Sequence, residues 1–559
     1  VVPETPVEEE LARIWASVLR LDEVGVHDNF FEIGGDSILG IQIVSRAQQA
    51  GIRVTPRQIF QHPTVAGLAA AAGTVASVAA EQGPVTGPVV ATPIQRWWLA
   101  QDLAAPGHYN QSFFFELAER LDATLLEEAL LHLLDHHDAL RLRVVAGAGT
   151  LLIAPPGAVP GESPLWRIDL EGVPAGELVP TLEQMAADAQ ASLDLHAGPI
   201  VRAVLFDLGP GAPSRLLLVI HHLATDGVSW RILLEDLFRA CEARRRGERI
   251  HLPPKTTSFQ RWAEKLAAHA VSEAALAEAG YWLSDAFHRA PALPVDHDHG
   301  PATFATVRHV MAVLAEDETE ALLRRVPEAH HTQITPVLLG AFARALCRLT
   351  GEGVAFLAVE THGREELFED VDLTRTVGWF TSLFPVVLEI DAGASPEGAL
   401  RAAKDQLRAV PALGIGYGLL RYLGPPEIAG ALAALPRPEV VFNYLGQFDH
   451  TPREASPRRP ARESGGPPQS PEGRLAHLIE LNASVTGGRL VAQLSYSEAR
   501  HRRATIEALA ADFLEALRAL IALALTPGVG GATPSYFPKA SLTQDALDML
   551  AALDPDADP

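Results

Sequence analysis

Residues 74–90, TVASVAAEQGPVTGPVV, carry small side chains, Gly and Pro, and read as a linker between two units of different periodicity. Upstream, residues 1–73 follow the 3.6-residue repeat of helices. Glu8 to Leu19 sets Leu11, Ile14, Trp15, Val18 and Leu19 on one face. Ser37 to Ala50 predicts a second helix, with Asp36 at its N-cap, Ile38, Ile41 and Val44 along a face, and Gly51 as its stop. Pro63-Thr64-Val65-Ala66-Gly67 opens a last short helix, so the first unit is expected to be a small all-α bundle of three or four helices. Downstream, strand-like runs such as RLLLVI (215–220) and EVVFNYL (439–445) alternate with long amphipathic helices such as SWRILLEDLFRACEARRRG, which argues for α/β layers over residues 91–525. Residues 451–473, rich in Pro, Arg, Ser and Gly, are expected to form a mobile loop, and 526–559 an onward linker containing the amphipathic LTQDALDMLAAL.

The 559 residues carry a net charge of −24, which argues against nucleic acid or an anionic membrane as the main partner. The two cysteines, Cys241 and Cys347, sit in apolar helical stretches and are expected to be buried and free. CxxC and HExxH patterns are absent, so no metal is expected. Neither a signal peptide nor a membrane-spanning run is expected, and a cytoplasmic monomer is expected. The opening VVPETPVEEE without Met and the closing DPDADP suggest a segment excised from a longer polypeptide.

Two places carry chemistry. In FFEIGGDSILGIQI, Ser37 begins a helix after two glycines and an acid. The glycines permit close approach to the backbone, and a helix N-terminus favours a phosphate, so this serine can carry a phosphodiester. The plainer reading is a helix cap. A GDSL-type hydrolase would need a strand before Gly34 and an Asp/His pair in this unit, which offers only His27 and His62. In LLLVIHHLATDGVSWRILLEDL, His221 and His222 end a strand and Asp226 follows four residues after His222, a candidate acid–base cluster. The alternative is that the histidines end the strand and Asp226 merely caps the helix.

DNFFEIGGDSILGIQIVSRAQQAGI, with the opening PVEEELARIWASVL, strongly resembles peptidyl carrier proteins of nonribosomal peptide synthetases. The resemblance implies a 4′-phosphopantetheine arm on Ser37, flanked by Gly35 and Asp36; an Asp before the serine resembles carriers that precede epimerisation domains. HHxxxDG resembles the condensation-domain superfamily. The detailed wording resembles its epimerisation branch, in order: ATPIQRWWL (91–99), HHLATDGVSWRIL, TSFQRWAEKL (257–266), VETHGREELFEDVDLTRTVGWFTSLFPVVL (359–388), GIGYGLLRYL (414–423), VFNYLGQFD (441–449) and GRLAHLIELNASVTGGRLVAQLSYS (473–497). Thr361, Thr225, Phe384 and Leu494 depart from the usual Gly, aliphatic, Tyr and Trp.

The resemblance implies two chloramphenicol acetyltransferase-like lobes, roughly 91–295 and 296–525, around a tunnel, and inversion of the α-carbon of an aminoacyl or peptidyl thioester. It implies His222 and Glu360 as the proton-transferring groups on opposite faces of that carbon, in either order, and Tyr444 and Asn443 as active-site residues. Asp226 and Arg364 are read as an ion pair supporting the two loops, with His221 beside them. The implied partners are an upstream adenylation domain, a phosphopantetheinyl transferase, a downstream condensation domain, and the carrier itself docking on the second unit. No nucleotide site is expected, since GIGYG lacks the dinucleotide context. The His136-His137-Asp138 run reads as a structural helix-to-strand junction, His477 as lying on a strand, and Arg244 to Arg246 as a solvated helix end. The rivals are an amide-forming condensation domain and a catalytically dead carrier-binding platform of the same superfamily.

Overall fold

The computed structural model describes residues 3–73, 78–101, 103–145, 150–157, 163–209, 211–391, 393–447 and 458–526. The amphipathic stretch of the expected onward linker at the tail, and residues 74–77 and 451–457 of the expected linker and loop, lie outside them.

The first unit is a bundle of four helices whose starts are each written in the sequence. Pro6–Leu19 (α1) begins with Pro behind a Thr5/Glu8 capping box. Ser37–Gln49 (α2) is capped by Asp36, whose Oδ1 accepts the Leu39 N–H at 2.8 Å. Pro56–Gln61 (α3) has a second capping box, Thr55 with Gln58, and Val65–Ala71 (α4) is capped by Thr64. Trp15 and Phe30 meet edge to face at 5.1 Å in the centre, with Leu11, Ile43, Val44 and Leu68 around them.

The second unit has two lobes, each built on a mixed sheet. In the first, Asn110–Leu117 (β1), Leu165–Asp169 (β2), Val201–Asp207 (β3) and Arg215–His221 (β4) pair in the order β1-β4-β3-β2, with the short strand Arg458–Pro460 added antiparallel to the outer edge of β1. Every residue of β4 is buried, because separate apolar clusters cover its two faces: Leu216, Leu218 and Ile220 on one, Leu217 and Val219 on the other. A continuous apolar run is what a strand covered on both faces requires. The helix that follows, Gly227–Arg245 (α5), lays Trp230, Leu233 and Leu237 onto this core.

In the second lobe, Val307–Val313 (β5), Val354–Thr361 (β6), Ser382–Glu389 (β7), Val440–Gln447 (β8), Ile479–Thr486 (β9) and Arg489–Ser497 (β10) run in the order β7-β6-β8-β9-β10-β5. Here the alternation is two-sided. Val359, Phe442, Leu481 and Leu494 point into a core with Phe342 and Phe513. Their strand neighbours Glu360, Asn443, Asn482 and Gln493 are in register across β6, β8, β9 and β10 and form a polar row on the other face.

Several expectations change. The end of the expected linker is structured: Gly87–Val89 pairs with Thr150–Ile153 in a small sheet completed by Leu142–Val145, and Val85 is buried. The described half of the expected mobile loop is pinned to the first lobe. Arg459 pairs with Glu116, the Asn110 N–H donates to the Pro468 carbonyl at 2.8 Å, and Gly466 packs so closely on Ala187 that a Cβ would lie 2.6 Å from its Cα. Polar composition marked surface exposure there, but backbone pairing supplied order. The lobes also exchange residues: Leu373, Val377, Trp379 and Phe380 belong to the core of the first lobe. His477 lies in the loop before β9, stacked 6.5 Å from Trp97, rather than on a strand. The His136–His137 junction does connect helix to strand, and His137 bonds the fully buried Asp236 at 3.0 Å, which Arg375 also holds at 2.6 Å. Both cysteines are buried and free. Among the described residues, no helix is long and apolar enough to cross a membrane.

Phe442 is fully buried directly beneath the polar row. Phe442→Ala should lower stability by about 3–5 kcal/mol, measured as a shift in the urea midpoint at constant m-value.

Candidate active site between carrier and lobes

The end of β4 turns into a single 3-10 turn, His222–Ala224, and then into α5. His221, wholly buried, spends both ring nitrogens on this turn: Nε2 donates to the Pro106 carbonyl at 2.8 Å and Nδ1 accepts the Leu223 N–H at 3.1 Å. Burial pushes its pKa down to about 3, so it is a neutral brace. His222 turns the other way, towards the second lobe. Its Nδ1 lies 2.9 Å from the Thr225 carbonyl and its Nε2 lies 3.0 Å from Nε2 of Gln111. A carbonyl only accepts, so Nδ1 carries the proton and Nε2 the lone pair. The ring stacks on Trp379 at 4.2 Å, with the Tyr109 ring near-parallel at 5.9 Å and itself 6.4 Å from Trp379. Burial lowers its pKa, partly offset by its bond to Thr225 and by the charge of Asp226.

Asp226 caps α5 by accepting the Ser229 N–H at 2.7 Å, as the plainer reading held, and it also reaches the opposite lobe. Arg364 Nη2 donates to its two oxygens at 3.1 and 3.3 Å, and the Phe380 N–H donates to Oδ2 at 3.1 Å. Arg364 further donates to the Leu373 and Thr376 carbonyls at 2.8 and 2.7 Å and to Ser229 Oγ at 2.9 Å, with its guanidinium 3.9 Å over the Phe380 ring. Gly363 permits this turn: its φ is +64°, and a Cβ would strike the Phe380 carbonyl.

Glu360, near the end of β6, is half-buried and lines a cavity between the carrier and the second unit. Burial, and then the charges of Glu480 and Asp226, push its pKa up to about 8. Asn443 is its register partner on β8. Glu480, held by Asn482 Nδ2 at 2.8 Å, is itself raised by burial. Burial also raises the Tyr109 phenol, and the charges of Glu480 and Glu360 add to this, so the ring that stacks on His222 shares its surroundings with both carboxyls. The Thr361 hydroxyl, beside Glu360, is buried without a hydrogen bond, and so is that of Thr225.

The carrier closes one mouth of this space. A cavity of about 700 Å³ is lined by Ser37, Ile38, Ile41 and Phe60 of the carrier and by Glu360, Thr361, His362, Tyr444 and Leu413 of the second unit. Gln447 Nε2 donates to the Gly34 carbonyl at 2.6 Å and the Arg57 N–H to Glu366 at 2.8 Å, while Thr374 Oγ1, bonded to Asp372, lies 3.3 Å from Gln48 Oε1. Asp36 is buried against the second unit. Its pKa is raised by burial, against its helix-capping bond and the charge of Arg231 on α5. The Tyr444 hydroxyl and Asp36 Oδ2 lie beside one another, each without a full hydrogen bond. Tyr444 therefore stands at the carrier side of the cavity, by the attachment point. The glycines differ from expectation. Gly35 is required by the carrier itself, since a Cβ would lie 2.5 Å from Phe30, while Gly34 adopts φ +98° and offers its carbonyl across the interface. Sequence reasoning missed Gln111, Tyr109 and Glu480. A polar pair, Asn110-Gln111, heading a strand that runs into Phe113-Phe114-Phe115 was the available signal for Gln111.

Residues 85–533 match the condensation domain family and residues 9–72 match the phosphopantetheine attachment site family. The chain thus belongs to the condensation-domain family, joined to a phosphopantetheine attachment domain as in nonribosomal peptide synthetases. It is 46% identical over 528 residues to one of the linear gramicidin synthase proteins of Brevibacillus parabrevis, covering 94% of this chain and 7% of that protein. It is 43% identical over 561 residues to chondramide synthase cmdD of Chondromyces crocatus, covering all of this chain and 14% of that one. The chain therefore spans a small part of these relatives. The epimerization domain from the third module of tyrocidine synthetase B superposes with a TM-score of 0.75 at 32% identity, over 80% of this chain and 99% of that domain. The phosphopantetheine is carried covalently on Ser37, the first residue of α2, which opens onto the cavity.

Two measurements test this electrostatic picture. Arg364→Leu strands Asp226 between backbone donors and should cost about 3–5 kcal/mol in a chemical denaturation series. A carboxyl whose folded pKa is raised gains a proton on folding, so its contribution declines as pH rises from 4.5 to about 8 and is level beyond. Glu360→Gln removes that slope. Its stability should rise relative to the parent by roughly 1.4 kcal/mol per pH unit through the window, read from urea midpoints at successive pH values.

Proposed function

We propose that the second unit epimerises the α-carbon of an aminoacyl or peptidyl thioester held on the carrier arm at Ser37. The observation that carries this reading is the opposed protonation of two groups that both neighbour Tyr109. His222 presents a lone pair at Nε2, with its pKa lowered, and Glu360 holds a proton near neutrality, with its pKa raised to about 8. One accepts a proton while the other can donate one, which replacing a C–H bond from the opposite face requires. An amide-forming site has no need of a second, protonated carboxyl. The likeness to an epimerization domain at 32% identity supports the same reading.

The thioester acidifies the α-C–H and spreads the resulting charge onto the carbonyl oxygen. Nε2 of His222 removes that proton, the Nδ1–H···O bond to Thr225 steadies the ring, and Glu360 delivers its proton to the other face. After one turnover the protonation states are exchanged, so the same residues run the reverse reaction and yield a mixture of D and L forms. The Asn443 amide, in register beside Glu360, is the donor suited to the carbonyl oxygen. Tyr444 guides the arm past Asp36 at the mouth. Asp226, Arg364 and His221 hold the two loops in place. An upstream adenylation domain and a phosphopantetheinyl transferase would load the arm, and a downstream condensation domain would take the D form.

The test loads an L-aminoacyl-phosphopantetheine onto Ser37 in deuterated water and follows deuterium at the α-carbon and product chirality. Exchange with a D/L mixture is expected, reduced at least about 100-fold in His222→Ala and in Glu360→Gln, and Ser37→Ala should not load. Loading without exchange across a panel of amino acids would sink the epimerase reading in favour of condensation or an inert platform.

A further inference from the structure

Gln111 is the second residue of β1, the strand paired with β4, and it meets His222 at the one ring nitrogen that the proposed reaction uses. Its amide can be oriented without ambiguity. Trp230 Nε1, on α5, can only donate, and it lies 2.9 Å from Gln111 Oε1. The other end of the amide, an NH2 group, therefore faces Nε2 of His222 at 3.0 Å. An NH2 group cannot accept, so Nε2 must hold the lone pair. The Thr225 carbonyl at Nδ1 demands the same tautomer from the opposite side of the ring. Two independent hydrogen-bond chains, Trp230–Gln111–His222 and His222–Thr225, thus agree on a single proton arrangement.

We propose that Gln111 is a positioning residue for His222: anchored by Trp230, it presents its NH2 to Nε2, selects the Nδ1–H tautomer and keeps the imidazole in its proton-accepting form until substrate displaces it. The inference rests on the epimerase reading for its purpose, but its structural content is independent of that reading. A proton on Nε2 and the bond to Gln111 exclude each other, since both groups would then be donors. When Nε2 takes the α-proton, the Gln111 amide turns away from the ring. The other groups facing the ring do not impose this. Trp379 stacks on it and Tyr109 lies near-parallel beside it, His221 is the neutral brace before it, and Asp226 acts from the α5 side and favours the charged form. Glu360 and Glu480 lie around Tyr109.

The experiment uses the full chain with isotope-labelled histidine, the His222 signal being identified by its loss in His222→Gln. The ring-nitrogen resonances report tautomer and titration without any turnover. The parent chain should show the Nδ1–H tautomer. Gln111→Glu replaces the NH2 with a charged acceptor and should raise the His222 midpoint by about one to three pH units. Trp230→Phe frees the amide to flip and should raise it in the same direction, and by more than Trp230→Phe with Gln111→Leu, which leaves no amide oxygen to accept from the protonated ring. An Nε2–H tautomer in the parent chain, or a midpoint indifferent to Gln111→Glu, overturns the proposal. Deuterium exchange in the same samples separates the two claims. Resonances that behave as stated without exchange in any form sink the epimerase reading and leave Gln111 its role. Exchange with an unresponsive midpoint does the reverse.

Discussion

The buried pair between Asp226 and Arg364 is the constraint on which the site depends. Arg364 belongs to the loop after β6 in the second lobe and Asp226 to the turn before α5 in the first, so their contact fixes the two lobes at the depth of the turn that holds His222. Neither charge is left to balance the other alone. Arg364 also spends donors on the Leu373 and Thr376 carbonyls and on Ser229, and Asp226 accepts two backbone N–H groups. Those added bonds, which leave only Nε of Arg364 without a partner, help make a buried ion pair tolerable, because desolvation of both groups opposes it. It also orders the segment that sends Trp379 across to stack on His222.

Around this pair, burial sets the proton inventory. The same desolvation that lowers an imidazole raises a carboxyl, so enclosing His222 and Glu360 between the lobes moves them to opposite protonation states near neutrality. Neighbouring acids reinforce the effect on Glu360. The polar row on the second sheet extends the logic: β6, β8, β9 and β10 place one polar residue each at the same level, while the residues between them fill the core. A slip of one residue in any strand would exchange the two faces.

The carrier completes the enclosure. Asp36 caps α2 in the carrier and meets the surroundings of Tyr444 and Arg231 in the second unit, so one side chain serves both the local helix and the interface. The cavity then opens from Ser37 directly towards Glu360. The volume is shared between the two units, so neither alone would enclose it.

Much of this was legible in the chain. The helices expected from Glu8, from Ser37 behind Asp36 and from the Pro63-Thr64-Val65 stretch follow from local periodicity and capping chemistry, and RLLLVI was legible as a strand, since these signals act over a few residues. HHLATDG and the strings around Glu360 and Tyr444 marked the candidate site by resemblance. What no local pattern carried came from contacts between distant segments: the edge strand at Arg458–Pro460, the structured end of the linker at Gly87–Val89, the place of His477 against Trp97, and the hold of Gln111 on His222. The division into two units and the helices of the carrier needed nothing beyond the order of the amino acids, because side-chain type and short-range periodicity suffice for these, while Glu360 was marked by resemblance alone. Which imidazole nitrogen carries a proton, and which carboxyl keeps one, waited on the folded chain. Protonation is governed by burial and by hydrogen-bond partners, and these meet only when the lobes and the carrier close together.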